Sequence, residues 1–161
     1  IELGSKQATN AINTTSNPVN CQEELSDSEN ADSLNRAIED LRQLCWREAG
    51  VDRSASGMQT ALTSIQIDLQ RIEHQPLLNL VNHQAKDTCH RLNNLQRRDL
   101  NLLLDLSHRQ LTSALLLEAC LFRCESRGGH FRTDSPAALP QWQCHTRQQR
   151  GEGLSTRPIR S

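Results

Sequence analysis

Large apolar residues recur along three segments of the chain at the spacing of a helix face. In the first segment they lie three or four positions apart, so they share one side of a helix. These residues are Leu34, Ile38, Leu41, Cys45 and Ala49. We predict that this helix begins at a cap on Asp32 or Ser33 and ends at Ala49, where Gly50 supplies a left-handed C-cap.

The second segment follows a short link and has the same periodicity. Ser54 and Ser56 are alternative N-caps, because a serine oxygen can accept from a free amide of the first turn. Pro76 ends the predicted helix, since the residue before a proline is pushed out of helical geometry. The buried face is predicted to hold Met58, Leu62, Ile65, Leu69 and Ile72.

The third segment predicts the longest helix, from about Arg97 to Ser126, which Gly128 and Gly129 stop. At about 1.5 Å per residue it would extend roughly 40 Å and could pair along both shorter helices. Before it, residues 77–96 fit either a short helix with a loop or an insertion that exposes His83 and His90. The wide apolar face of the long helix is predicted to include Leu100, Leu103, Leu104, Leu111, Ala114, Leu115, Glu118, Leu121 and Phe122.

These segments predict an all-α fold, a three-helix antiparallel bundle of the spectrin-repeat type over residues 32–129. Composition agrees, because tyrosine is absent and only two tryptophans and two phenylalanines occur, which disfavours a β-sandwich or barrel. Residues 1–31 are polar and predict a disordered linker or insertion. Residues 130–161 predict an irregular basic tail.

The formal net charge of −1 gives no support to electrostatic binding of nucleic acid. Charge is unevenly spread, however: residues 1–32 hold six acidic residues and one lysine, whereas residues 126–161 hold six arginines and two acidic residues. We interpret the acidic end as solvated and the basic tail as a docking surface. No apolar run approaches the roughly 18 residues that a membrane span needs.

Six cysteines occur without a recognisable signal peptide, and several fall on apolar helix faces, which predicts a reduced, cytoplasmic protein. Four zinc ligands could be drawn from Cys120, Cys124, His130, Cys144 and His145. Because no C-x-x-C pair occurs, we favour packing of these cysteines over metal binding. Neither a nucleophile motif nor a glycine-rich phosphate loop is found, so no catalytic, cofactor-binding or metal residue is predicted.

The stretch ESRGGHFRTDSP, residues 125–136, concentrates polar chemistry at the predicted end of the long helix. Arg127 is placed to bond the last carbonyls and to interact with the helix dipole. His130, Arg132 and Asp134 then project from a loop. One interpretation is an elaborate cap whose groups satisfy one another, and the other is a loop that docks on a neighbouring domain. Both fit the sequence.

This stretch resembles the ESRG-x-H-x-R-x-D-x-P signature of flavoproteins in the succinate dehydrogenase, fumarate reductase and L-aspartate oxidase superfamily. LRQLCWREAGVDRSASGMQTAL, WQCHT and TRPIR are similar to further segments of these proteins. The position of Trp46 and the short tail look more like L-aspartate oxidase than a dehydrogenase subunit. Because the chain begins with Ile1 rather than methionine, we expect it to be part of a longer protein.

The resemblance implies the C-terminal helical domain of an enzyme that oxidises L-aspartate to iminoaspartate with FAD, on the route through quinolinate to NAD. FAD and the catalytic residues would lie upstream, so the chain alone would be inactive. Its partners would be the FAD-binding and capping domains and, in addition, quinolinate synthase. There are two alternatives. One is the equivalent domain of a succinate dehydrogenase or fumarate reductase flavoprotein, and the other is a stand-alone helical adaptor. The expected interdomain interface residues are Glu125, Arg127, His130, Arg132, Arg53 and Trp142, with Asp134 bracing the loop.

Overall fold

The structure, a computed structural model, describes residues 31–82 and 91–159. The predictions of a disordered N-terminal segment and of exposed His83 and His90 lie outside the described residues. Within them the chain is mostly helical, as predicted. The helices are α1 (Ala31–Ala49), α2 (Ala55–Glu73), α3 (Pro76–Asn82) and α4 (Asn94–Phe122).

Helices α1, α2 and α4 pack on one another around a shared apolar core, with α3 against α2 and α4. The first two helices bury the stripes that the periodicity predicts, including Leu34, Leu41, Met58 and Ile65. Ser54 is the N-cap of α2, and its side chain accepts from the amide of Gly57 at 3.1 Å. The antiparallel bundle stays a prediction.

The buried face of α4 differs in part from the predicted one. Leu111 and Leu115 were expected inside but are 50% and 42% exposed. On a helix of 3.6 residues per turn they lie about a third of a turn or more from the centre of the buried stripe, so the predicted face was too wide. The buried residues of α4 are Asp99, Leu103, Leu106, Gln110, Ala114, Leu117 and Cys120.

The end of α4 and the cap conformation at Gly50 were also predicted wrongly, although α1 ends at Ala49 as predicted. Helix α4 ends at Phe122, not at Ser126, so Gly128 and Gly129 do not stop it. Gly50 is not left-handed. Glycine is needed there for another reason, because a Cβ at this position would overlap the carbonyl oxygen of Trp46.

The prediction of a purely helical fold with an irregular tail is wrong, because the described residues also contain two small sheets. Strands β1 (Asp52–Arg53) and β2 (Phe131–Arg132) pair in parallel. A 3₁₀ turn over Pro140–Trp142 leads into an antiparallel hairpin. Its strands are mostly exposed and polar, so they lack the apolar alternation that predicts a half-buried strand. The hairpin strands are β3 (Cys144–Gln149) and β4 (Gly153–Pro158).

Within residues 31–82 and 91–159, no helix is both long enough and apolar enough to cross a membrane.

Candidate functional site

The segment 123–139, which we call the junction loop, connects the ends of three helices. It leaves the C-terminus of α4, forms β2 beside β1, and returns past the C-terminus of α1 and the N-terminus of α2. It contains most of the residues that the sequence predicted as a polar cluster. Its contacts decide which of them face inward and which remain available to a partner.

Glu125 lies at the centre of the junction loop and is fully buried. Its Oε1 accepts from Arg123 Nη2 at 2.5 Å and from Arg127 Nε at 3.0 Å. Its Oε2 accepts from Arg127 Nη2 at 3.1 Å and from the amide of Leu139 at 2.9 Å. Both carboxylate oxygens are therefore satisfied within the chain. Chiefly because of the hydrogen bond from Arg127, the pKa of Glu125 is lowered from 4.5 to about 2.

Arg132, which is 3% exposed, caps helix α4. Its Nη1 donates to the carbonyl oxygens of Leu121 at 3.0 Å and Arg123 at 3.1 Å, and more weakly to that of Cys120. The sequence assigned this task to Arg127. That assignment is wrong because the helix ends four residues earlier than predicted, so the chain has already turned away when it reaches Arg127.

Asp134 joins the junction loop to α2, as the prediction that it braces the loop implies. Its Oδ2 accepts from Arg132 Nη2 at 2.5 Å, while its Oδ1 accepts from the amide of Ala55 at 3.1 Å. The Arg132 hydrogen bond is the main reason that the pKa of Asp134 is lowered. The first turn of α2 contains no acidic residue, so Asp134 supplies negative charge where the helix dipole favours it.

Arg53 and His130 join the junction loop to α1. Arg53 Nε donates to the carbonyl oxygen of Ala49 at 3.0 Å, and its Nη1 lies 3.3 Å from the carbonyl oxygen of Gly129. The same Nη1 is 3.2 Å from His130 Nδ1, and His130 Nε2 is 3.1 Å from the carbonyl oxygen of Arg123. These partners fit a neutral imidazole that accepts at Nδ1 and donates at Nε2.

Burial is the main reason that the pKa of His130 is lowered from 6.5. The positive charges of Arg53, Arg132 and Arg123 lower it further, against the hydrogen bond to the Arg123 carbonyl. The imidazole is therefore held neutral by its surroundings. A proton added to the imidazole would place a fourth positive charge beside Arg53, Arg132 and Arg123. It would also remove the nitrogen acceptor of Arg53.

Gly128 and Gly129 form the tip of the junction loop. The backbones of Arg127 and His130 exchange hydrogen bonds of 2.8 and 3.0 Å, which makes a tight two-residue turn. Gly128 adopts a φ of +58°, a left-handed value that glycine tolerates without strain. The glycine pair thus shapes a turn rather than a helix end.

Arg123, which sequence reasoning missed, connects the junction loop to the C-terminal hairpin. Its guanidinium donates to Glu125, to the Cys144 carbonyl oxygen at 3.0 Å and to the carbonyl oxygen of Trp142. It also lies 5.6 Å from the ring centre of Trp142, whose ring packs edge-on against Phe122 at 5.5 Å. The available signal was an arginine two residues before the motif.

The six predicted interface residues fall into two groups. The buried side chains of Glu125 and Arg132 are directed into this domain. The other four, Arg53, Arg127, His130 and Trp142, keep part of their surface open. The described residues hold no group of three or more histidine, cysteine or acidic side chains that could bind a metal ion. Cys120 is buried, which raises the pKa of its thiol, and it is free, as are Cys45, Cys124 and Cys144.

The chain matches a known family over most of its length. The model of the fumarate reductase flavoprotein C-terminal domain matches residues 38–160, which include the junction loop, Arg53 and the hairpin. The chain belongs to this family. The resemblance drawn from the ESRG motif is thereby confirmed.

Two relatives of this family member are L-aspartate oxidases by name. The enzyme of a Synechocystis species is 32% identical over 114 residues, which are 70% of this chain and 21% of that enzyme. The enzyme of a Nostoc species is 32% identical over 111 residues, 67% of this chain and 19% of that enzyme. The chain therefore spans about a fifth of the length of these relatives.

A more distant relative is an uncharacterized FAD-dependent oxidoreductase of Methanocaldococcus jannaschii. It is 26% identical over 105 residues, which are 65% of this chain and 16% of that protein. No solved structure gives a significant match.

Proposed function

We propose that the chain is the C-terminal helical domain of an FAD-dependent L-aspartate oxidase. The observation that carries the proposal is the family match over residues 38–160 together with two L-aspartate oxidases at 32% identity. The complete enzyme would oxidise L-aspartate to iminoaspartate, which feeds quinolinate and NAD synthesis. Its cytoplasmic location and an association with quinolinate synthase stay predictions.

The described residues do not fit a flavin site of their own. A dinucleotide pyrophosphate needs free amides at a helix N-terminus, whereas the glycine turn follows the C-terminus of α4, where the dipole is negative. The carbonyls at that end are already bonded by Arg132. We therefore assign FAD and the oxidation to upstream domains and a supporting role to this domain.

The supporting role is to present a rigid polar surface to the upstream domains. The buried side chains of Glu125 and Arg132 hold the junction loop in place. The proposed contact residues of the surface are Arg127, His130, Arg53 and Trp142. A loop that is ordered before docking loses less conformational entropy when it docks. A three-helix bundle would give this loop a fixed base. The chain by itself would neither retain FAD nor oxidise aspartate.

The first experiment replaces Arg127 by alanine in the full-length enzyme. Because Arg127 bonds Glu125 and keeps 41% of its side chain exposed, its loss should weaken the docked surface. We expect flavin to be released several-fold faster while turnover per bound flavin stays within about twofold. Arg150→Ala, at the exposed hairpin turn, is the matched control and should change neither.

A variant that keeps its flavin but loses turnover would place Arg127 at the reaction and contradict the docking role. The substrate distinguishes the alternative family members: oxidation of succinate rather than L-aspartate by the full-length protein would identify a succinate dehydrogenase or fumarate reductase flavoprotein.

A further inference from the structure

Arg53 differs from Arg123, Arg127 and Arg132 of the junction loop, because within the described residues it has no carboxylate partner. Its acceptors are two carbonyl oxygens and the neutral imidazole nitrogen of His130. These use the hydrogens of Nε and Nη1. In the part of the chain that the structure describes, the Nη2 group has no hydrogen-bond partner and Arg53 forms no ion pair.

The remaining arginines of the junction are each paired. Arg123 and Arg127 share Glu125, and Arg132 pairs with Asp134. This group therefore has four arginines but only two carboxylates, and the neutral His130 carries no negative charge to balance the difference. Within the described residues, Arg53 is the arginine of this group that lacks an ion-pair partner, and its side chain is partly exposed. Asp52, the neighbour of Arg53 in β1, is directed to the opposite face because successive strand side chains alternate.

Apolar side chains are exposed on the elements next to Arg53 in the chain. Val51, just before β1, is 72% exposed. Trp46, at the end of α1, is 77% exposed. Arginine and aromatic residues together are typical of the centres of protein interfaces. An ion pair made between such groups would be partly shielded from water and hence stronger than a surface pair.

We propose that Arg53 receives a carboxylate side chain, an aspartate or glutamate, from an upstream domain of the same polypeptide. The charge surplus supplies the attraction, and the unpartnered Nη2 group supplies the donors. The bonds from Arg53 to the Ala49 and Gly129 carbonyls fix the guanidinium beforehand, so little side-chain freedom is lost on docking. A phosphate would call for several converging donors, and those of Arg123 and Arg132 are already used within the loop. This inference rests on the proposed function.

The test is a zero-length cross-link in the full-length enzyme that carries Arg53→Lys. A carbodiimide converts a carboxylate to an O-acylisourea. The introduced lysine amine attacks its acyl carbon, the urea leaves and an amide forms, but only where the two groups already touch. Mass spectrometry should find this amide between position 53 and an aspartate or glutamate of an upstream domain. Arg71→Lys, an exposed position on α2, is the matched control and should give no cross-link to an upstream domain. A cross-link only to acids of residues 31–159, or none, would overturn the proposal.

A second measurement needs no variant. An arginine-selective dicarbonyl reagent should modify Arg53 at least about tenfold more slowly than Arg150 in the full-length enzyme. The bonds of Arg53 within this domain slow the reaction, and a bound carboxylate adds about 1.5–3 kcal/mol, of which 1.4 kcal/mol is tenfold. Equal rates for the two arginines would overturn the proposal. Measuring L-aspartate turnover on the same sample separates the two ideas. If the unmodified enzyme turns over L-aspartate but its Arg53→Lys variant gives no such cross-link, the carboxylate is disproved. If the unmodified enzyme is inactive on L-aspartate, the proposed function is disproved.

Discussion

At the scale of single residues, the junction loop shows how buried charge can be tolerated. Glu125 and Arg132 are almost fully buried, yet each has several hydrogen-bond partners and an opposite charge in contact. Taking ions out of water is unfavourable, and such groups stabilise a fold only when every polar atom is satisfied. Removing one partner should therefore be far more damaging than removing an exposed ion pair.

Arg132→Met tests this at the end of α4. The change leaves Asp134 without its ion-pair partner and the carbonyl oxygen of Leu121 without its guanidinium donor, while that of Arg123 keeps its bond to His130. We expect the free energy of unfolding to fall by about 1–3 kcal/mol, measured by urea titration. Arg147→Met, which breaks an exposed pair with Glu152, should lower it by less than about 1 kcal/mol. Equal losses in the two variants would contradict the capping role of Arg132.

Stability should fall in two stages as the pH is lowered. The pKa of His130 is lowered from 6.5 in the folded state, so below about pH 6.5 the unfolded chain binds a proton that the folded chain resists. The pKa of Glu125 is lowered from 4.5 to about 2, so its contribution is complete above about pH 4.5 and is lost towards pH 2. Asp134 adds to this second stage, since its pKa is also lowered.

Two variants separate these stages. We expect His130→Gln to flatten the dependence of the unfolding midpoint on pH near 6.5 and to leave the acid stage in place. Glu125→Gln should lower stability at neutral pH and flatten the acid stage. Thermal unfolding followed by circular dichroism from pH 8 to pH 2 measures both. If His130→Gln leaves the slope near pH 6.5 unchanged, another group titrates there.

Sequence reasoning found the residues of the junction but not their pairings. Glu125, Arg127, His130, Arg132 and Asp134 were grouped because they stand close together in one motif. Which arginine meets which carboxylate depends on where the backbone turns, and that depends on where α4 ends. Because the predicted end of α4 was four residues too late, we assigned the capping role to Arg127 instead of Arg132.

At the scale of elements, local patterns predicted the start of α2, the end of α1 and two of the buried faces, because caps and apolar spacing are local features. The predicted starts of the other two helices were wrong: α1 begins before the expected caps Asp32 and Ser33, and α4 begins at Asn94 rather than Arg97. The C-terminus of α4 was missed because its cap is distant, and the hairpin because its exposed polar strands lack apolar alternation. The cap of α4 comes from Arg132, ten residues beyond Phe122, and β3 is fixed through Arg123.

Neighbouring leucines on α4 provide a matched test of which face is buried. Leu117 is 0% exposed within the core, whereas Leu116 is 54% exposed. Leu117→Ala should lower the free energy of unfolding by about 2–5 kcal/mol, because it removes apolar contacts and leaves a cavity. Leu116→Ala should change it by no more than about 0.5 kcal/mol. The reverse order, in the same urea titration, would mean that α4 packs through a different face.

At the scale of the whole molecule, the junction loop makes three separate helices and a hairpin interdependent. Arg53 bonds the end of α1, Asp134 the start of α2, and Arg132 the end of α4. Arg123 adds the hairpin, which as an isolated two-stranded ribbon would be marginally stable. A surface assembled from all these elements can be presented to an upstream domain only when the whole domain has folded.

Arg123→Met tests this coupling through the hairpin. The change removes the bonds from the guanidinium to the carbonyl oxygens of Cys144 and Trp142 and its contact with the Trp142 ring. Each charged hydrogen bond is worth about 1.5–3 kcal/mol, so the hairpin should open at least about tenfold more often. Limited trypsin digestion should then cut after Arg147 and Arg150 at least about tenfold faster. Arg42→Met, which breaks an exposed pair with Glu39 on α1, is the control and should leave these rates unchanged. Unchanged cleavage in Arg123→Met would mean that contacts such as Gln148 with Glu118 are enough to hold the hairpin without Arg123.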